Sequence, residues 1–176
     1  MSDNVPIQRI KMKIVDYGLL EVKDIVVRTG SAAVDVFHRY LEGEGCEHLV
    51  VIGLNSKNRI LAILPIAVGS VDMVISKPAH IFQPLIAKFA VKFLIGHNHP
   101  SCDPRPSTQD IQLFKKIRRC GNEDLDIEFL DGIIVTDDKE KSYSFMADER
   151  YNPLPDHLAR NTSHYLSINE PEAGEA

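Results

Sequence analysis

Apolar positions along the chain fall into short continuous runs, which predict buried strands. Residues 49–54, LVVIGL, have the length and composition of a strand that is covered on both faces. The turn formers NSKN follow, and RILAILPIAV at 59–68 predicts a second strand antiparallel to the first. The run FLIG at 93–96 predicts another strand, and the segments IEFLDGIIVTDD and KSYSF predict two or three more.

Helical spacing of apolar residues separates these runs. From Ser31, a candidate N-cap, to Leu41 the apolar side chains recur every three or four positions. The same spacing predicts a helix over residues 78–93, and a further helix that Ser107 opens and Gly121 ends as its C′ residue. Strands and helices therefore alternate, and the pattern predicts an α/β fold around one mixed sheet.

The two ends of the chain differ from its middle. Residues 1–29 contain two β-branched runs around Tyr17-Gly18 and predict an N-terminal extended arm or hairpin. Residues 30–150 hold the alternating elements and predict one domain. Residues 151–176 combine prolines, little periodicity and an acidic end, which predicts a flexible C-terminal tail.

Composition narrows the class of protein. The 176 residues are 44% apolar, which is enough for a single core, and no apolar run is long enough to span a membrane. The first residues lack a signal peptide, so a cytoplasmic location is expected. Three widely spaced cysteines argue against a disulfide framework. A net charge of −5 gives no support to nucleic-acid binding by bulk electrostatics, and the basic run KKIRR predicts a solvated helix face.

The chemistry concentrates in residues 96–110, GHNHPSCDPRPSTQD. His97 and His99 lie two apart on a strand that leaves the sheet, so both rings project to one side, as shared metal ligation requires. Asp110, in the first turn of the next helix, can return as a third ligand. Ser107 and Asp110 also fit a capped helix start, with serine as N-cap and an acid at N3. Spacing alone leaves a metal site and a helix cap about equally supported.

The same residues carry a resemblance to a known family. His97-x-His99, seven residues, Ser107, two residues and Asp110 match the JAMM motif of the JAB/MPN metallopeptidases without a gap. The flanking HNHPS.DP.PS..D resembles the RadC-type branch, in which HNHPSGDPTPS is typical. The likeness extends over about residues 30–146, where LVVIGLNSKNRIL, VGS and FLDGIIV are similar to RadC segments. The resemblance implies a JAB/MPN domain at 30–150, with the cytidine-deaminase-like mixed β-sheet flanked by helices.

The resemblance also implies a mechanism and its residues. Zn²⁺ would be held by His97, His99 and Asp110, and Ser107 would donate a hydrogen bond to the oxyanion of an amide under attack. A glutamate serves the family as general base. Here Glu47 matches it, since CEHL stands where RadC proteins have REHF, with Glu42 and Glu44 as rivals. The substrate class is a peptide or isopeptide-like amide, no membrane contact is expected, and a homodimer is compatible.

The chain departs from the family pattern at three positions, and two other functions compete with amide hydrolysis. Cys102 stands where glycine is usual, and reads either as a residue tolerated in a turn, the favoured interpretation, or as a thiol that could reach the zinc. Ala79 and Gly132 replace an arginine and a histidine that RadC proteins commonly carry. The alternative functions are a metal-binding, non-catalytic interaction scaffold, and the DNA-repair or mobile-element role that the RadC name implies.

Overall fold

The computed structural model describes residues 18–22, 24–69 and 77–151. These residues form a five-stranded sheet with one helix on one face and two on the other. In chain order the elements are α1 (Gly30–Leu41), β1 (His48–Leu54), β2 (Ile60–Val68), α2 (Ala79–Ala87), β3 (Lys92–Asn98), α3 (Thr108–Arg119), β4 (Glu128–Val135) and β5 (Ser142–Ser144). The predicted α/β class with alternating elements is confirmed, and it is the architecture expected of a JAB/MPN domain.

The sheet is mixed, as predicted. Its strand order is β2-β1-β3-β4-β5. β1 pairs antiparallel with both β2 and β3, while β3 and β4 are parallel and are joined by the crossover through α3. The short β5 pairs antiparallel with β4 at the edge. β3 therefore lies at the centre, and its carboxyl end carries the two histidines of the motif.

Two apolar cores cover the sheet. On one face α2 and α3 pack around Phe93 and Phe114, and on the other α1 packs through Phe37. Helix α1 approaches the sheet closely because β3 has a glycine beneath it: a Cβ on Gly96 would lie 2.9 Å from the Phe37 ring and 2.7 Å from the carbonyl oxygen of Ile133. Strands β1 and β3 are buried along nearly their whole length, as their continuous apolar runs predict.

Two predicted helix boundaries were wrong. The N-cap of α1 is Thr29, whose extended backbone lets its side chain accept a hydrogen bond from Ala32 N, whereas Ser31 lies inside the helix. Helix α2 ends at Ala87 rather than continuing to residue 93, because Phe89 has a φ of 54° and β3 begins at Lys92. Helix α3 ends at Arg119, so Gly121 does occupy the predicted C′ position, but it lacks the left-handed conformation that a glycine usually has there.

The chain instead continues from α3 into a π-helical turn, Cys120–Leu125. Asp126 ends this turn in the left-handed conformation, with a φ of 55°. The carbonyl oxygen of Gly121 accepts hydrogen bonds from the amides of both Asp126 and Ile127. Gly121 was predicted as the C′ residue because glycine usually takes that position, but here an aspartate, which tolerates the left-handed region better than most residues, has that conformation.

The predicted arm and tail fall largely outside the described residues. Tyr17, at the centre of the predicted N-terminal hairpin, lies outside them, as do residues 152–176 of the predicted tail. In the described part of the arm, Val26 forms an isolated antiparallel bridge with Arg59, beside the β1–β2 turn. The division into arm, domain and tail stays a prediction.

Candidate metal centre

The carboxyl end of β3 brings the two histidines of the motif together. Their Nε2 atoms lie 3.0 Å apart and their ring centroids 4.9 Å apart. His97 is fully buried, and the side chain of His99 is 12% exposed. His97 pairs with Leu49 across β1 and β3, so both rings project over the face that α2 and α3 cover. The alternation of side chains on a strand is what places them on one side.

The start of α3 brings the third candidate ligand back to the histidines. Ser107 is the N-cap, and a complete capping box joins it to Asp110: Asp110 N donates to Ser107 Oγ at 3.1 Å, and Ser107 N donates to Asp110 Oδ2 at 2.8 Å. The predicted cap is confirmed. Asp110 Oδ1 lies 3.0 Å from His97 Nε2, and its Oδ2 lies 3.6 Å from His99 Nε2. Asp110 therefore completes the helix cap and also contacts both histidines.

The tautomer of His99 is determined by the loop that follows it. Its Nδ1 donates to the backbone carbonyl oxygen of Asp103 at 2.7 Å, so in the neutral ring the lone pair is on Nε2, facing His97 and Asp110. Arg105 in turn holds Asp103 through several hydrogen bonds from its side chain and its backbone amide. A ring oriented through its second nitrogen is the arrangement that metal-ligating histidines usually have.

The electrostatics of the cluster favour a positive charge beside a carboxylate. Burial alone would raise the pKa of Asp110, but the imidazoles of His97 and His99 and the hydroxyl of Ser107 hold the pKa far below its usual range. Burial opposes protonation of His99, yet its contacts with Asp110, the Asp103 carbonyl and the charge of Glu47 leave its pKa raised. Asp110 is therefore ionised, and a cation between it and the imidazoles is electrostatically favourable.

The spacing and the donor types both suit a metal ion. One ligand atom from each of His97, His99 and Asp110 can be chosen so that all lie within 4.8 Å of one another. Ligands placed about 2.0–2.1 Å from a tetrahedral zinc ion lie roughly 3.3–3.4 Å apart, close to the 3.0 and 3.6 Å contacts seen here. Two imidazoles and a carboxylate also form a ligand set known for catalytic zinc, which leaves one coordination position open. The residues fit the ion.

Glu47 lies next to this cluster. It immediately precedes β1 and lies two residues before Leu49, which pairs with His97 at the end of the β1–β3 ladder. Its charge acts on the His99 ring. The carboxylates of the two rival glutamates contact other groups: Glu42 lies 3.5 Å from Lys139 Nζ, and Glu44 lies 3.3 Å from His48 Nε2.

The hydroxyl of Ser107 makes a hydrogen bond inside the cluster. Its hydroxyl donates to Asp110 Oδ2 at 2.6 Å. A serine hydroxyl has a single proton, so donation to a substrate oxygen requires that this bond be exchanged. The hydroxyl lies beside a candidate ligand, and its role toward a substrate stays a prediction.

The structure shows the surroundings of two residues that depart from the family pattern, Cys102 and Gly132. Cys102 is exposed, its amide donates to the carbonyl oxygen of His99, and its φ of 57° is a conformation that glycine adopts at no steric cost. Within the described ranges, the cluster of convergent metal-ligand types contains His97, His99 and Asp110, and Cys102 is not part of it. Gly132 lies against Phe114: a Cβ there would be 2.6 Å from the Phe114 ring, so a histidine requires that ring to move.

Asn98, between the two histidines, was assigned no role from the sequence. The structure shows that it is buried and that its side chain bonds to the backbone at three points, all in the segment that carries Glu47. Its position could have signalled this, because the middle residue of His-x-His must project to the opposite face of the sheet from the histidines.

These features describe an α/β domain with a candidate three-ligand metal site at the end of its central strand. A model of the RadC-like JAB domain family matches residues 27–151. The chain belongs to that family. No helix among the described residues has the length and apolarity needed to cross a membrane.

Relatives among curated proteins carry the family name UPF0758. The protein from Caldanaerobacter subterraneus subsp. tengcongensis is 40% identical over 110 residues, which is 60% of this chain and 46% of the relative. The Clostridium acetobutylicum protein is 34% identical over 115 residues, 65% of this chain and 50% of the relative. YsxA of Bacillus subtilis is 36% identical over 102 residues, 55% of this chain and 44% of the relative. The chain thus spans about half the length of the curated relatives it matches.

Proposed function

We propose that this chain is a zinc-dependent hydrolase of the JAMM type that cleaves amide bonds of peptide or isopeptide-like substrates. The observation that carries the proposal is the convergence of His97, His99 and Asp110 within ligand distance, with a carboxylate and a hydroxyl beside them. Zinc, when bound by these three residues, supplies the Lewis acidity that makes water a nucleophile near neutral pH.

The remaining chemistry belongs to Glu47 and Ser107. Glu47 accepts a proton from the attacking water and delivers it to the nitrogen of the leaving amine as the amide bond breaks. What supports this role is the effect of its charge on His99 and its place two residues before Leu49, the partner of His97, together with the contacts that engage Glu42 and Glu44 elsewhere. Ser107 exchanges its bond to Asp110 and donates to the substrate carbonyl oxygen as negative charge develops there.

The first experiment tests metal binding and cleavage together. We expect purified protein to contain one zinc per chain and to cleave members of a panel of fluorogenic peptide amides and lysine-ε-linked isopeptides. A chelator should abolish cleavage and added zinc should restore it. His99→Ala should lose both metal and activity, whereas His80→Ala, a substitution of an exposed histidine on α2, should keep both.

Substitutions beside the metal separate binding from chemistry. Glu47→Gln should retain zinc and lose about 10²–10⁴ in kcat, the usual contribution of a general base. Ser107→Ala should lose about 10²–10³ in kcat, and about 1 kcal/mol of stability through the lost helix cap. A folded protein without zinc would contradict the proposal. Bound zinc with no cleavage across the panel would contradict it too, and would favour a non-catalytic scaffold.

A further inference from the structure

We propose that Asn98 is a positioning residue that holds the general base Glu47 in register with the metal ligands. This inference rests on the proposed function and assigns a role to a residue outside the ligand and acid–base set. Asn98 lies between His97 and His99 on β3, so one short piece of strand would carry two metal ligands and also determine where the base stands.

Asn98 binds the first residue of β1 and the segment before it through both ends of its side-chain amide. Its Oδ1 accepts from the amide of His48 at 2.8 Å. Its Nδ2 donates to the carbonyl oxygen of Cys46 at 2.9 Å and to that of Glu44 at 3.2 Å. The acceptors and donor lie on both sides of Glu47 in the chain, so the three bonds hold its backbone from before and after.

The segment needs this support because it belongs to no helix or strand. Residues 42–47 form a turn and bend between α1 and β1, and Gly45 has no heavy atom of another part of the chain within 4 Å of a built Cβ. Glu47 itself makes a backbone hydrogen bond: its carbonyl oxygen accepts from Gly69 N at 2.8 Å, just after β2. The backbone around Glu47 is thus hydrogen-bonded to the end of β2 on one side and to β3 on the other, and the bonds to β3 are those of the Asn98 side chain.

The direction of the Asn98 side chain excludes a place among the ligands. Successive residues of a strand project to opposite faces, so His97 and His99 face α2 and α3 while Asn98 faces away from them. With 5% of its surface exposed, the side chain does not meet solvent or substrate. Whatever it contributes to the reaction must pass through the backbone it binds.

The consequence is a fixed distance between base and ligands. Proton transfer requires heavy-atom separations of about 2.6–3.2 Å, and a misplacement of about 1 Å can cost about 10²-fold in rate. A base on an unsupported turn would sample positions outside that range. Coupling the turn to the strand that bears the histidines makes both parts move together.

The test compares Asn98→Ala with wild type in zinc content, turnover and backbone protection. We expect Asn98→Ala to retain one zinc per chain and a similar KM, and to lose about 10- to 100-fold in kcat, since a misplacement of about 1 Å costs up to about 10²-fold. The His48 amide should exchange with solvent at least about 10-fold faster, while the amides of Val51 and Leu94, within the β1–β3 ladder, stay protected.

The decisive readout is a double-mutant cycle with Glu47→Gln. If Asn98 acts through Glu47, then adding Asn98→Ala to Glu47→Gln should cost no further turnover. The matched control is Asn55→Ala, which removes a side chain that accepts from the amides of Lys57 and Arg59 at the opposite end of β1. It should leave kcat and the exchange of His48 unchanged. The milder Asn98→Ser keeps the test open if the alanine variant does not fold, and it should fall between wild type and Asn98→Ala.

Three results would overturn the inference. Loss of zinc in Asn98→Ala would show that Asn98 supports the metal site instead. Unchanged exchange of the His48 amide would show that the turn does not depend on Asn98. An equal loss of kcat in the Glu47→Gln background would show that Asn98 does not act through the base. Absence of zinc-dependent cleavage in the wild type is a different failure, because it overturns the proposed function, and a catalytic role for Asn98 with it.

Discussion

The two ends of β3 are built in different ways. At its start, Phe93 packs edge-on against Phe82 and Phe129, with ring centroids 5.5 and 5.4 Å apart. At its end, His97 and Asn98 are also buried but are held by polar contacts to α3, to the first residue of β1 and to the turn before it. One strand therefore runs from an aromatic cluster into a polar cluster.

The difference separates stability from chemistry. Most of the stabilisation from these rings comes from the hydrophobic effect, which is non-directional and scales with the apolar area removed from water, so it tolerates small shifts of position. A metal site and a base need directions and distances held within about half an ångström, which hydrogen bonds provide. We therefore expect substitutions at the start of β3 to change the free energy of unfolding and those at its end to change turnover.

The largest expected effect is at the aromatic end. Phe93→Ala should lower the free energy of unfolding by about 3–5 kcal/mol, because it removes a fully buried ring and leaves a cavity between α2 and the sheet. Urea denaturation measures the loss, and the folded fraction should still bind zinc. Phe89→Ala is the matched control: its ring is 87% exposed, and we expect a change within about 0.5 kcal/mol. Loss of zinc affinity in folded Phe93→Ala would break the comparison.

Asp131 is a buried polar group on β4, where it pairs with Leu94 in the middle of β3, away from the polar end of that strand. This buried carboxylate accepts from Ser144 Oγ and from the amides of Gly132 and Met146. Burial raises the pKa of Asp131 to about 6, against the opposing effect of these hydrogen bonds. Because the folded pKa is the higher one, the folded state binds the proton more tightly. The stability that the folded protein gains from protonated Asp131 is therefore fully present below about pH 4 and is lost as pH rises through 6.

Asp131→Asn should remove this dependence. Relative to wild type, the variant should gain up to about 3 kcal/mol in the free energy of unfolding between pH 4 and pH 7, the equivalent of a shift of about two pKa units. Denaturation of both proteins across that range measures the difference and cancels the titration of groups they share. A difference that is constant with pH would show that Asp131 is ionised in the folded state throughout.

The smallest expected effect is at Cys102, in the loop beyond the polar end. Cys102→Gly should stabilise the protein by about 0.5 kcal/mol, because relief of the left-handed backbone conformation slightly exceeds the added entropy of glycine in the unfolded chain. Thermal unfolding of the zinc-loaded protein measures it. Zinc affinity and turnover should not change, and a marked change in either would mean that the thiol reaches the metal.

Local patterns predicted most of the elements correctly. The apolar runs of β1 and β3 and the capping box at Ser107 and Asp110 depend on neighbours in the chain, and the structure shows all of them. Helix ends were predicted less well. Thr29 and Ser31 can both cap a helix, and the choice depends on which backbone is extended where α1 meets the sheet. The π-helical turn after Arg119 has no comparable signal in the residues that form it.

The sequence by itself determined the local half of the candidate site. The spacing of two in His97-x-His99 sets both rings on one side of any strand, and the capping box turns Asp110 back toward the loop, because both are consequences of backbone geometry over a few residues. Only the tertiary structure decided which glutamate stands beside the histidines and what holds it there. Glu47 and Asn98 are about fifty positions apart, and the antiparallel register of β1 and β3, set by the packing of the whole sheet, is what makes them neighbours.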